Sequence, residues 1–205
     1  MKLILARHGQ TEWNREKRVQ GISDIALNSL GIEQAGRLAE ALRGEQVERI
    51  LSSSLKRAVQ TAEAVNRFHS LPIEQDSNLG ELHQGDFEGR TFPDIMATHE
   101  NFLRQWAADP ASVTMPGGES LTILQRRAWK TVEQVLATGK NTLIVSHNFT
   151  IMTILCTIQK MDLARIREVH ISPASRSIVE YKNGLGVVTL FNDTSYLAPL
   201  RDVER

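Results

Sequence analysis

The stretch Lys2-Leu3-Ile4-Leu5-Ala6-Arg7-His8-Gly9-Gln10-Thr11-Glu12-Trp13-Asn14 begins as a short apolar run and ends in polar residues and a glycine. Residues 2–6 read as a strand buried on both faces that delivers its last residues to a loop. Two later stretches repeat the arrangement. Residues 49–53 form a short strand running into Ser52-Ser53-Ser54, and residues 55–68 then have helical periodicity with Lys56 and Arg57 in the first turn. Residues 141–146, with Thr142-Leu143-Ile144-Val145 at their centre, stop at His147, and residues 149–158 continue as a very apolar helix. Strands that hand over to helices predict an α/β fold: a three-layer α/β/α sandwich with a mainly parallel central sheet and helices on both faces. Such sheets bind ligands beyond the carboxyl ends of their strands. The sequence therefore brings Arg7-His8, the region from Ser52 to Arg57, and Ser146-His147 to one edge.

The remaining segments fill in the layers. From Ser29 to Leu42, residues Leu30, Ala35, Leu38, Ala41 and Leu42 recur at helical spacing, with Ser29 and Glu33 near the start and Gly44 past the end as boundary signals. Residues 119–137 form a long amphipathic helix. Residues 177–181 and 187–191, joined by Asn183-Gly184, read as a hairpin or adjacent strands. Residues 82–118 are richer in glycine, proline and aromatics, with a helix expected at 92–106, and read as an excursion covering the site. No repeat or interdomain linker interrupts the chain, so residues 1–205 are expected to form one domain. The segment 187–191 is either an edge strand that pairs between subunits, making a homodimer, or an ordinary sheet member. The polar tail 201–205 is expected to be frayed.

Composition excludes several functions. Lysines plus arginines and aspartates plus glutamates number 24 each, so no overall field gathers nucleic acid or holds the chain on an anionic membrane. An anion must be attracted locally. The single cysteine, Cys156, cannot form an internal disulfide, which suits a reducing, cytoplasmic location. The amino terminus is too soon interrupted by Arg7 and His8 to be a signal peptide, and no apolar stretch approaches a membrane span. His69, His83 and His99 lack metal-ligand spacing, so no metal site is expected.

A neutral imidazole is a good nucleophile toward phosphorus when a neighbour fixes which nitrogen is free. His8 sits where that arrangement can be made. Gly9 lets backbone approach a ligand, and Arg7 with the amides after a strand end can surround phosphoryl oxygens. Taken alone, an Arg-His-Gly triplet is more commonly a polar loop. The triplet, however, has company in Arg7-His8-Gly9-Gln10-Thr11-Glu12-Trp13-Asn14, Gln20-Gly21 with Asp24 and Leu27-Asn28-Ser29-Leu30-Gly31, residues 52–62 (Ser52-Ser53-Ser54-Leu55-Lys56-Arg57-Ala58-Val59-Gln60-Thr61-Ala62), Leu79-Gly80-Glu81-Leu82, and Val145-Ser146-His147. In order and spacing these five blocks resemble the histidine phosphatase superfamily, which includes the phosphoglycerate mutases, and the match spans nearly the whole chain.

The resemblance implies a phosphoglycerate mutase-like fold and a metal-independent phosphomonoester hydrolase without cofactors, acting on a small phosphorylated metabolite and releasing inorganic phosphate. His8 would become phosphohistidine. Arg7 and Arg57 would hold the phosphoryl oxygens as charged planar forks. His147 would donate to the phosphoryl group in the transition state. Glu81 would protonate the leaving alkoxide and then activate water, given a carboxyl pKa raised by burial. Asn14 would add an amide donor, and Gly9, Gln20, Gly21 and Asn148 complete the expected substrate-binding set. Glu88 is a rival acid, but its Glu88-Gly89 setting resembles a structural turn.

Two departures matter. Asn148 stands where the family usually has glycine after the second histidine, and asparagine is expected there for its tolerance of left-handed backbone angles. In the cofactor-dependent mutases, the acid is followed by a Glu-Arg-His-Tyr-Gly pattern and a longer basic insertion; here the chain has Glu81-Leu82-His83-Gln84-Gly85 and a compact excursion. Hydrolysis is thus expected over mutation, with phosphoglycerate mutase and a non-catalytic phosphate-binding or interaction module as alternatives. The excursion ending in Pro116-Gly117-Gly118-Glu119-Ser120 resembles that of broad-specificity acid-type phosphatases and α-ribazole phosphatases. Phe87, Phe92, Phe102 and Trp106 give the leaving group an apolar wall or simply pack as core.

Overall fold

The computed structural model describes residues 1–198 of the chain, so the expectation for the tail 201–205 lies outside the described residues. The elements are, in order, β1 (Lys2–Arg7), α1 (Glu12–Arg15), α2 (Ser29–Leu42), β2 (Arg49–Ser52), α3 (Lys56–Asn66), β3 (Ile73–Gln75), α4 (Phe92–Ala108), α5 (Leu121–Thr138), β4 (Thr142–Ser146), α6 (Asn148–Gln159), β5 (Arg176–Lys182) and β6 (Leu185–Asp193). One six-stranded sheet has the order β3-β2-β4-β1-β5-β6. Strands β3, β2, β4 and β1 are mutually parallel, and β5 and β6 add an antiparallel edge.

Alternation along the strands divides the core in two. Leu3, Leu5 and Ile144 point to one side, where Leu124, Ala128 and Val132 of α5 and Ile151 and Leu155 of α6 close over them. Ile4, Ala6, Leu143 and Val145 point to the other, covered by Leu38 and Leu42 of α2 and Ala58, Ala62 and Val65 of α3. Each fully buried leucine, isoleucine or valine contributes about 1.5–3 kcal/mol from burial, which is why the central strands carry apolar residues on both faces. The three-layer sandwich expected from the sequence is the one observed.

The local differences have physical causes. The cap of α2 is Asn28, whose side chain accepts from Gly31 N at 2.8 Å, rather than Ser29. Strand β3 was not foreseen, because a three-residue edge strand with the single apolar residue Ile73 has no periodicity to detect. The Asn183-Gly184 turn joins β5 to β6 as a tight hairpin, both residues having positive φ (53° and 77°) as the primed turn requires. Strand β6 is the sheet edge, and its Val188 pairs with Val179 while Leu190 pairs with Ile178. The bulge between these pairs places Val188 and Leu190, two residues apart, against opposite core clusters. Among the described residues no helix is long and apolar enough to cross a membrane.

Register decides where the site lies. Arg7 pairs with Ser146 and Ser52 with Val145, so β1, β4 and β2 end side by side. The ladder continues one step beyond: His8 N donates to Ser146 O at 3.0 Å and Ser53 N to Val145 O at 3.0 Å. Residues 8, 53 and 147 therefore emerge together.

Candidate active site

His8 is buried at the end of β1, 2 % exposed. Its Nδ1 lies 2.7 Å from the Gly9 carbonyl oxygen, which can only accept; Nδ1 therefore carries the proton, and Nε2 has a free lone pair. Burial, followed by the charges of Arg57 and Arg7, holds this imidazole well below its usual range and hence neutral. The backbone is held as firmly, since the His8 carbonyl accepts from Ala174 N at 2.9 Å. The imidazole's tautomer is thus fixed by the chain itself.

His147 meets His8 edge to face, with ring centroids 5.1 Å apart. Arg57 Nε donates to His147 Nδ1 at 3.2 Å, so the other nitrogen, Nε2, bears the proton and donates to Ser53 Oγ at 2.7 Å. Burial, with Arg57 next in effect, keeps this imidazole well below its usual range too. Both ring nitrogens are thus engaged within the protein. Arg57, fully buried at the start of α3, also donates to Ser23 O at 2.7 Å and Gly21 O at 2.6 Å. Burial lowers its guanidinium to about 10, against support from Glu81, Glu88 and Asp24, so it remains charged at neutral pH.

Glu81 sits at the amino terminus of α6. Its Oε2 accepts from Phe149 N at 3.2 Å, and its Oε1 from Thr150 N at 3.3 Å and Leu82 N at 2.8 Å. The carboxyl thus satisfies amides that the helix start leaves unpaired, since His147 provides no side-chain cap. Burial nevertheless wins and raises its pKa, with the Leu82 and Phe149 amides and then Arg57 and Arg7 opposing. Behind it, Arg127 of α5 donates to the carbonyls of Asn78 (2.7 Å), Gly80 (2.7 Å) and Glu81 (2.8 Å) and pairs with Glu119 at 2.6 Å. The Glu81 carboxyl is held from both sides.

Glu88 is fully occupied in another way. It accepts from the amides of Gly21, Ile22 and Ser23 and from Ser23 Oγ at 2.6 Å, so it is a clasp for the loop whose carbonyls Arg57 grips. Its structural reading stands. Gly21 belongs to that clasp through both its N–H and its carbonyl.

Three sequence expectations need correction in their physical reason. Gly9 does not open the backbone to a ligand: a Cβ there would overlap the Gly31 carbonyl of α2, and its N–H already donates to Thr61 Oγ1 at 3.2 Å. Asn148 does not form a left-handed turn, because it is the first residue of α6 and its φ is negative. His147 does not present a free donor in this arrangement, as described above.

In front of His8 opens a cavity of about 340 Å³. Arg7, His8, Asn14, Gln20, Glu81 and Asn148 all line it, whereas Gly9, Gly21, Arg57 and His147 do not. Thr11, absent from the expected set, prepares two of its amides. Its hydroxyl lies 2.6 Å from Gln20 Oε1 and 3.0 Å from Asn14 Oδ1, and its N–H donates to Asn14 Oδ1 at 3.1 Å. With these oxygens taken, the amide nitrogens are the groups left for an anion. Ser53 and Thr11 were not legible as orienting residues because their partners lie far along the chain or in a turn that the sequence does not define. Phe87, Phe92, Phe102 and Trp106 also line the cavity, so they form its wall.

The sequence profile of the histidine phosphatase superfamily (branch 1) matches residues 3–194. Phosphoserine phosphatase 1 of Hydrogenobacter thermophilus is 30% identical over 199 residues, covering 96% of this chain and 94% of that protein. A probable phosphoglycerate mutase, GpmB of Yersinia pestis, is 32% identical over 184 residues, 89% of this chain and 86% of its own length. Among solved structures, YhfR of Bacillus stearothermophilus superposes with a TM-score of 0.90 at 30% identity, covering 96% of this chain and 98% of that one.

Proposed function

The chain belongs to the histidine phosphatase superfamily, and on that premise we propose that it is a metal-independent phosphomonoester hydrolase whose nucleophile is His8 Nε2. The observation that carries this reading is the Nδ1 contact to the Gly9 carbonyl, which leaves Nε2 unprotonated inside a cavity that Glu81 also lines. In the first step the Nε2 lone pair forms the N–P bond as the P–O bond to the alcohol breaks, and the protonated Glu81 carboxyl gives its proton to the departing oxygen. In the second, Glu81 takes a proton from water as the water oxygen bonds to phosphorus and the N–P bond breaks. Inorganic phosphate leaves, His8 is neutral again, and Glu81 is again protonated.

Arg7 and the amides of Asn14 and Gln20 stabilise charge on the phosphoryl oxygens, and Arg57 acts from behind His8. These donors supply the charge neutralisation that a metal ion supplies elsewhere. A phosphoryl group on His8 competes with Ser53 Oγ for the His147 Nε2 proton, which makes His147 a donor once the intermediate forms. The acid-type reading is supported by two opposed shifts, the His8 imidazole lowered below its usual range and the Glu81 carboxyl raised above its usual range.

Mutase activity is a second reading, supported by the likeness to GpmB. The cavity argues against it, because among the described lining residues Arg18 is the one cation besides Arg7, and it is engaged by Glu16 at 2.5 Å and the Gly89 carbonyl at 2.9 Å. A phosphomonoester panel in excess EDTA with wild type and His8→Ala tests the proposal. Phosphate release by the wild type alone is expected. Strict dependence on added divalent metal, or undiminished turnover by His8→Ala, contradicts it.

A further inference from the structure

We infer that the substrates are phosphomonoesters of apolar alcohols or phenols with no second anionic group, an inference that rests on the phosphatase reading and assigns the leaving-group half of the same cavity. The polar and charged side chains that line the cavity include Arg18, Gln84 and Asn148 besides the proposed catalytic groups. The apolar lining includes Val19, Phe87, Ile95, Phe102, Trp106 and Phe149. The rings form one continuous surface: Phe87 meets Phe102 at 5.0 Å, Phe102 stacks on Trp106 at 6.4 Å and 17°, and Trp106 meets Phe149 edge-on at 5.9 Å. A wall of this kind gains nothing from a hydroxyl-rich leaving group and penalises a carboxylate, whose water it removes without offering a partner.

The wall faces two ways. Phe92, Leu103 and Trp106 also line a second groove of about 480 Å³ on the outer side of α4, which Met96 extends. Phe92 is 57 % exposed and Met96 42 %, so apolar surface continues outward past the cavity. Of the charges bordering this groove, Arg104 is paired with Glu100, while Arg167 donates to the Ala107 carbonyl. A chain that outgrows the inner cavity passes over Phe92 onto this groove.

The test is a series of butyl, hexyl and octyl phosphate, each below its micelle concentration, compared with O-phosphoserine, 3-phosphoglycerate and glycerol 1-phosphate. The alkanols leave with nearly equal basicity, so differences in kcat/KM within the series report binding of the chain. A rise of about two- to fourfold per methylene is expected, from the usual gain on burying a methylene, with octyl phosphate well ahead of all three polar esters. Trp106→Ala lowers the hexyl-to-phosphoserine ratio about tenfold, and Met96→Asp lowers the octyl-to-butyl ratio. Ratios measured on one preparation are independent of the fraction folded. A flat series, faster turnover of phosphoserine or 3-phosphoglycerate, or unaltered ratios in these variants overturns the substrate class while leaving the His8-dependent phosphatase intact. Loss of all turnover in EDTA, or turnover surviving in His8→Ala, overturns both.

Discussion

At the scale of single residues, two buried groups are pushed in opposite directions by the same low-dielectric surroundings. Burial destabilises the cation of His8 and the anion of Glu81, so both favour their neutral forms, which the proposed first step requires. As pH falls through the lowered His8 pKa, the proposed nucleophile should be protonated and activity lost; as pH rises through the elevated Glu81 pKa, the proposed acid should be lost. A bell-shaped kcat/KM profile is predicted, its acid limb below the ordinary imidazole range and its alkaline limb above the ordinary carboxyl range. Glu81→Gln should abolish the alkaline limb and cost about 10²- to 10⁴-fold on alkyl phosphates. It should cost far less on p-nitrophenyl phosphate, whose leaving group needs no proton. An equal loss on both esters would remove Glu81 from the role of acid. Of these residues the sequence revealed identity but not state: the neutral tautomer of His8 depends on the carbonyl of the very next residue, a contact set by backbone angles and not by residue type.

Elements hold these residues through contacts that local patterns do not encode. Helix α2 comes so close to the His8 loop that Gly9 and Gly31 lie backbone to backbone, and a Cβ on Gly31 would overlap the carbonyl of Gln10. Glycine to alanine within a helix normally stabilises by about 1 kcal/mol. Here the sign should reverse, Gly31→Ala costing about 1–3 kcal/mol in chemical denaturation as the loop is forced away; a stabilised variant would contradict the packing. Helix α5 acts similarly on Glu81, because Arg127 gathers the carbonyls of residues 78, 80 and 81. Arg127→Gln is predicted to lower kcat/KM for alkyl phosphates by roughly tenfold, a part of the general-acid contribution, with a smaller loss on p-nitrophenyl phosphate. An identical loss on both would show a structural role only. Helix α4 was legible as a helix, yet its aromatic spacing is the same whether the rings fill a core or face a cavity. Its kink at His99, with φ −135° and ψ 36°, has no sequence signal such as an internal proline.

For the molecule as a whole, the fold was readable because three apolar runs each end abruptly in polar residues, and a parallel sheet must bury such runs on both faces. The register then does what composition cannot, setting the ends of β1, β2 and β4 level so that His8, Ser53 and His147 meet. The short edge strand β3 and the loop clasp built by Glu88 and Arg57 were out of reach, since both depend on partners more than 20 residues away. Of the expected site, Arg7, His8, Asn14, Gln20, Glu81 and Asn148 share one cavity, while Arg57, His147, Gly9 and Gly21 support it from behind. In the proposed reaction this supported histidine carries the phosphoryl group. Rapid mixing with a ³²P-labelled ester, followed by alkaline quench and peptide mapping, measures this directly. Label is expected on the peptide containing His8, stable in alkali, released by acid, and absent in His8→Ala. Label on another residue, or steady turnover with no labelled protein at any mixing time even in Glu81→Gln, would contradict it.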